Sequence, residues 1–155
     1  MILREEKRNL FTVSEDYALA HCISADFALG AGIAKQFRDK LNIKKLLFEK
    51  YKNYHLFYKK ELVNTIGRSG DCLIVDDERT VFNLVTKQSY WNKPTYESLE
   101  QALEVMKKQC INLKIKKIAM PQIGCGLDQL EWIKVSEIID KVFNDTDIEI
   151  LVCYL

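Results

Sequence analysis

The apolar positions of the chain change period several times, and each change predicts a new element. Tyr17 to Ser24 (YALAHCIS) is nearly continuous in apolar residues and stops where Asp26 and Gly30 open a loop, the pattern of a buried strand followed by a turn. Ile33, Ala34, Phe37 and Leu41 then form one apolar stripe at helical spacing. Ile43, Leu46, Leu47, Lys50, Tyr51 and Tyr54 continue that spacing in a different phase, which predicts two short helices broken near Asn42. Leu73 to Val75 and Val81 to Val85 are β-branched or aromatic runs separated by Asp76 to Thr80, and predict a hairpin or two neighbouring strands.

Leu99, Ala102, Leu103, Met106 and Cys110 follow the i, i+3, i+4, i+7, i+11 pattern of a long amphipathic helix. Pro94, Thr95 and Glu97 provide its starting signals, because proline fits the first turn and a hydroxyl or carboxylate suits the exposed amides there. Lys117 to Met120 predicts a short strand, Trp132 to Phe143 another amphipathic helix, and Ile148 to Leu155 a closing strand. Alternation of helices and strands in the second half favours a three-layer α/β domain with a mixed β-sheet between helices.

A length of 155 residues suits one domain, 1–155, which at this size buries about 70% of the surface of its unfolded chain. Hydrophobic residues at 48% and charged residues at 29% are ordinary globular values, and no apolar run is long enough to span a bilayer. The first residues, MILREEKRNLF, lack the uninterrupted apolar segment of a signal peptide, so a cytoplasmic location is the default expectation. Cys22, Cys72, Cys110, Cys125 and Cys153 form no CxxC pair and read as reduced thiols, mostly core. With His21 and His55 as the only histidines, no protein-bound metal is expected, and a monomer is the expected state. The net charge of +1 conceals a basic stretch, Lys35, Arg38, Lys40, Lys44, Lys45, Lys50, Lys52, Lys59 and Lys60. It reads first as the solvated face of two helices and second as a surface attractive to a polyanion.

Candidate chemistry lies in two loops that follow predicted strands. Gly30, Ala31, Gly32 and Ile33 open a helix, where glycines allow close approach of the backbone and free amides face an anion such as phosphate. The loop lacks the third glycine of a dinucleotide fingerprint and the GK[ST] ending of an NTPase loop. The second loop, Pro121-Gln122-Ile123-Gly124-Cys125-Gly126-Leu127-Asp128, leaves the strand ending near Met120, so the two can wall one crevice at the carboxyl edge of the sheet. Cys125 invites a nucleophile reading, but neither histidine is evidently placed as its base. Lys87 emerges at a strand end; on local grounds alone it reads as a solvated lysine, and Asp128 as a cap or surface acid.

The segments Ala20 to Ser24, Gly30 to Ala34, Thr86-Lys87, Lys93 to Glu97 (KPTYE) and Met120 to Asp128 together resemble the macrodomain family, and within it the branch of terminal ADP-ribose protein glycohydrolases, with related antitoxin macrodomains that act on DNA-linked ADP-ribose. The similarity runs in one register from about Lys7 to Leu155. It implies ADP-ribose in a cleft between the two glycine loops. Asn9 would face adenine, Leu10 and Phe11 would lie by the adenosine end, and His21 and Ser24 would belong to the ligand site. Gly30, Ala31, Gly32 and Ile33 would hold phosphate or the distal ribose. Gln122, Ile123, Gly124, Cys125, Gly126 and Leu127 would wrap the pyrophosphate, and Leu155 would make a terminal contact. Lys87 and Asp128 match the catalytic pair of this branch. The implied reaction is attack of the Lys87 amine on the anomeric carbon, release of a protein Asp or Glu side chain, and resolution of the lysine adduct with help from Asp128, without a cofactor. The implied partners are ADP-ribose and ADP-ribosylated protein, with ADP-ribosylated nucleic acid as a further candidate and no membrane. Two positions depart from the pattern: Arg8-Asn9 stands where many macrodomains have Gly-Asp, and Gln122 stands where the human member of this branch has arginine.

Overall fold

The computed structural model describes residues 1–52, 54 and 69–155. Lys59, Lys60 and His55 of the sequence reading lie outside the described residues. Six strands form one sheet: β1 (Ile2–Lys7), β2 (Ala18–Ser24), β3 (Asp71–Asp76), β4 (Thr80–Lys87), β5 (Lys117–Met120) and β6 (Glu149–Tyr154), in the order β1-β6-β5-β2-β4-β3. All neighbours are parallel except the β3-β4 hairpin, where Cys72 pairs with Leu84 and Ile74 with Phe82. The expected mixed sheet is therefore present, extended by an edge strand that periodicity did not reveal. β1 alternates no apolar face, and its charges at Arg4, Glu5 and Glu6 are those of an edge kept from pairing further.

Helices α1 (Gly32–Leu41) and α2 (Ile43–Lys50) cover one face of the sheet, while α3 (Tyr96–Leu113) and α4 (Trp132–Phe143) cover the other. The pleat sorts β2 between them. Ala18 and Ala20 pack in the α3/α4 layer, and Leu19 and Ile23 in the α1/α2 layer with Phe37 and Leu47. The phase break between α1 and α2 is Asn42 itself, which stops the first helix in the left-handed region at φ 54°.

The start of α3 is fixed by a reciprocal cap. Thr95 Oγ1 accepts the Ser98 amide (2.9 Å) and Ser98 Oγ accepts the Thr95 amide (3.1 Å), a device worth about 1 kcal/mol. The Ser98 hydroxyl also donates to the Thr86 carbonyl (2.7 Å), so the helix start is tied to the strand residue just before Lys87. Thr95 is legible as a starting signal in the sequence, whereas the double use of Ser98 depends on β4 lying against the helix start.

Because β1, β2, β4, β5 and β6 run the same way, the loops that leave them collect at one edge. β2 sits between β5 and β4, so its loop is flanked by the loop after Lys87 on one side and the loop after Met120 on the other. This is the crevice position in open α/β sheets.

Candidate active site

The loop after β2 is built around Asp26. One carboxylate oxygen accepts the Ser24 hydroxyl and the Ala28 amide (3.2 Å), and the other accepts the Tyr90 amide (3.0 Å) from the loop after β4. Phe27 and Leu29 adopt positive φ of 55° and 43°, unusual for residues with side chains, and both side chains are buried in the α1/α2 layer. The chain thereby enters α1 at Gly32, φ 60°, with the N-cap Ala31 offering no side-chain bond and no acid in the first turn. The leading amides of α1 are thus available to an anion, with the helix dipole adding to the attraction. A Cβ on Gly30 would meet nothing within 4 Å.

The loop after β5 is folded by its own backbone. The Leu130 amide bonds the Gly124 carbonyl (2.8 Å), and the Gln129 amide bonds the Gly126 carbonyl (3.2 Å). Gly124 sits at φ 73°, where a Cβ would come within 2.8 Å of Leu130 Cδ1. Gly126, by contrast, faces open space. The two loops meet through Leu127, whose Cδ1 lies 3.4 Å from where a Gly32 Cβ would be.

Lys87 and Asp128 close the site. Lys87 Nζ donates to Asp128 Oδ1 at 2.7 Å, and both side chains are largely enclosed, at 16% and 19% exposure. Beneath them, burial pushes the Cys22 thiol up to about 12, with the Asp128 charge acting in the same direction. Burial likewise pushes Cys125 up to about 11, and its Sγ donates to the Ile123 carbonyl (3.3 Å). Both thiols are neutral near pH 7, which removes the thiolate that a cysteine nucleophile requires.

The other residues of the sequence reading occupy three environments. Asn9 is exposed and its Oδ1 accepts the Phe11 amide (2.9 Å), capping a single 3-10 turn, Leu10–Thr12. Leu10 is buried in the core, whereas Phe11 is half-buried against Phe37 (centroids 5.0 Å) with Lys40 Nζ 5.5 Å from its ring centre. The Arg8 amide bonds the Tyr154 carbonyl (2.9 Å), which brings the exposed Leu155 beside this turn. His21 is a core residue: fully buried, stacked on Phe37 at 3.8 Å, with Nε2 2.6 Å from Asn83 Oδ1. Asn83 Nδ2 donates to the Leu73 carbonyl (2.9 Å), so the amide oxygen faces the imidazole, Nε2 carries the proton, and Nδ1 is a buried acceptor with no partner among the described residues. Ile123 is buried in the floor, Gln122 and Cys125 are half-buried, and Ala31 and Leu127 are exposed.

Two lysines of the described basic stretch tie the α1/α2 layer to its surroundings, and an arginine pairs with its neighbour. Lys44 Nζ donates to the Ala28 carbonyl (3.2 Å), Lys50 Nζ to the Ile74 carbonyl (2.8 Å), and Arg38 pairs with Asp39 (2.8 Å). Asp26, legible in the sequence only as the start of a loop, becomes the residue that organises the site once the β4 loop is brought against it.

A mixed six-stranded sheet between paired helices, with two glycine loops and an acid-base pair at its carboxyl edge, defines a ligand-binding α/β class. Residues 20–139 match the Macro domain family, and the chain belongs to that family. It is 40% identical over 147 residues, 94% of this chain and 87% of the relative, to the ADP-ribose glycohydrolase OARD1 of Homo sapiens, and equally to that of Bos taurus. Among solved structures it shares its fold with the macrodomain of Mycobacterium tuberculosis DarG, with a TM-score of 0.79 at 19% identity over 99% of this chain and 98% of that one. Thermosipho africanus DarTG in complex with ADP-ribose matches with a TM-score of 0.79 at 19% identity over 98% of this chain and 41% of that one.

Proposed function

We propose that this chain is an ADP-ribosyl-acceptor hydrolase that binds ADP-ribose between its two glycine loops and removes it from Asp or Glu side chains of modified proteins. The observation that carries the reading is the Lys87–Asp128 pair, 2.7 Å apart and mostly enclosed, beside the uncapped start of α1. Its similarity at 40% identity to proteins named ADP-ribose glycohydrolase supports the same activity.

The residues fit a two-step route. The uncapped amides at the start of α1, with the open glycines Gly30 and Gly126, receive the pyrophosphate and distal ribose. Asp128 takes a proton from the Lys87 ammonium, and the neutral amine attacks the anomeric carbon. An N–C bond forms as the C–O bond to the acceptor breaks, and the acceptor leaves as a carboxylate. Water then adds to that carbon, the N–C bond breaks, and free ADP-ribose and Lys87 are released, with Asp128 as proton carrier. The test is a single-turnover incubation with a glutamate-ADP-ribosylated protein. Release of ADP-ribose is expected, and none from enzyme that binds ADP-ribose would make the chain a reader instead.

A second reading, cleavage of DNA-linked ADP-ribose, draws on the basic side chains of α1 and α2. It is the weaker one because several of those cations are engaged with backbone carbonyls or a neighbouring acid. Parallel turnover of protein-linked and oligonucleotide-linked ADP-ribose ranks the two.

A further inference from the structure

The loop that continues from Lys87 carries two large aromatic side chains that contribute nothing to the core. Tyr90 and Trp91 are 64% and 66% exposed, with their rings edge to face at 5.0 Å and 86°. Their backbone is nevertheless held firmly. The Tyr90 amide is bound by Asp26 (3.0 Å), the Ser89 amide by Asn92 Oδ1 (2.9 Å), and the Asn92 amide by the Ser89 carbonyl (3.0 Å). Beyond them Lys93 Nζ donates to the Leu127 carbonyl (3.1 Å), and Pro94 is buried ahead of the Thr95 cap. The loop is therefore anchored at one point to the β2 loop, through Asp26, and at another to the β5 loop, through the Leu127 carbonyl next to Asp128. It forms a shelf that carries two exposed aromatic rings.

We propose that Tyr90 and Trp91 are specificity-determining residues that bind the polypeptide flanking the ADP-ribosylated side chain. This rests on the hydrolase reading above: the acceptor is joined to the carbon that Lys87 attacks, so the acceptor chain must leave the crevice past the residues that follow Lys87. The segment Gln88-Ser89-Tyr90-Trp91-Asn92 contains no charge. Rigid aromatics mixed with small amide and hydroxyl side chains suit the variable surface of a polypeptide, supplying contact area with little loss of side-chain freedom. A nucleic-acid acceptor would bring one phosphate per nucleotide and would call for cations on the shelf. The nearest ones in sequence, Lys87 and Lys93, are bonded to Asp128 and to the Leu127 carbonyl. The aromatic pair thus acts on the acceptor and not on ADP-ribose.

The test compares two substrates that share the scissile carbon, an ADP-ribosyl-glutamate peptide and the 1″-acetyl ester of ADP-ribose, which has no polypeptide. In Tyr90→Ala/Trp91→Ala the peptide-to-ester ratio of kcat/KM is expected to fall about tenfold or more, mainly through KM, with Trp91→Phe restoring most of it. An unchanged ratio overturns the proposal. A loss seen on an ADP-ribosylated oligonucleotide but not on the peptide also overturns it and assigns the shelf to nucleic acid. Should the unaltered protein turn over neither substrate, the hydrolase reading fails by itself, and the shelf is judged by binding in a Lys87→Ala background. Peptide-linked ADP-ribose binding more tightly than free ADP-ribose, with the difference lost on removing the aromatics, supports the proposal, and equal affinities refute it.

Discussion

Lys87 Nζ and Asp128 Oδ1 stand 2.7 Å apart although 41 positions separate them in the chain. One leaves β4 and the other the loop after β5, and β2 lies between those strands in the sheet. The pair therefore bridges over the central strand, and its geometry depends on both flanking loops holding their shape. In the proposed function, binding falls to backbone amides and chemistry to these two side chains.

That division makes Lys87→Ala a separating variant. ADP-ribose affinity is expected to stay within about tenfold, roughly 1.4 kcal/mol, while nearly all turnover is lost, because among the described residues Lys87 is the amine bonded to Asp128. Asp128→Ala is expected to turn over slowly and, where breakdown of the adduct is slowed more than its formation, to carry ADP-ribose on Lys87, visible by intact-protein mass spectrometry. Near-normal turnover by Lys87→Ala would instead point to water activated by Asp128.

The two glycines of the second loop should respond oppositely to alanine. Gly124 is held at φ 73° and its Cβ would press on Leu130, so Gly124→Ala is expected to cost about 1–2 kcal/mol. For a chain of this length that is a fall of roughly 2–8 °C in Tm. Gly126 has open space where its Cβ would go, so Gly126→Ala should leave Tm unchanged or slightly raised and still weaken ADP-ribose binding by about tenfold, by filling the cleft. Thermal melts paired with calorimetry check both; full affinity in Gly126→Ala would move the ligand away from this backbone.

Asn9 places its oxygen on the Phe11 amide and leaves its amide nitrogen on the other side. Asn9→Asp preserves that cap and replaces the nitrogen, a donor, with a charged acceptor. If the side chain meets the adenine amino group, ADP-ribose binding tightens by about 0.5–1.5 kcal/mol. Calorimetry showing no gain would mean that the second oxygen points away from the base.

His21 makes stability depend on pH in a defined window. Burial pushes its imidazole from 6.5 down to about 4, against a small opposing effect of Asn83. The unfolded chain therefore takes up a proton between about pH 6.5 and 4 while the folded chain does not. The contribution of neutral His21 is fully present above pH 6.5 and is lost progressively as pH falls towards 4, by on the order of 3 kcal/mol in total. His21→Gln, which cannot titrate, is expected to show a flatter fall in urea midpoint between pH 7 and 5. An identical pH slope in the variant would refute the assignment.

What the sequence determined by itself was the local order of elements, since hydrophobic period is a property of neighbouring residues. It marked β2, the break at Asn42, the hairpin β3-β4, α3, β5, α4 and β6, and the two glycine loops at strand ends. Shared motifs, from GAGIA to GCGLD, then singled out Lys87 and Asp128 from the 23 basic and 22 acidic side chains that composition alone cannot rank. Tertiary structure decided everything that depends on partners distant in sequence. β1 became a strand only by pairing with β6 at the far end of the chain, because an edge strand dense in charge has no periodic signature. Alternation along β2 assigned His21 to the same face as Leu19 and Ile23, but its character came from Asn83, 62 residues away, which fixes the tautomer and keeps the ring in the core. Asp26 acquired its role only when the loop after β4 was laid against the loop after β2, and the exposure of Tyr90 and Trp91 followed from the same closure. Periodicity reports which side of an element is apolar; which polar group ends up opposite another is set by sheet order and register, and those are settled by the packing of the whole chain.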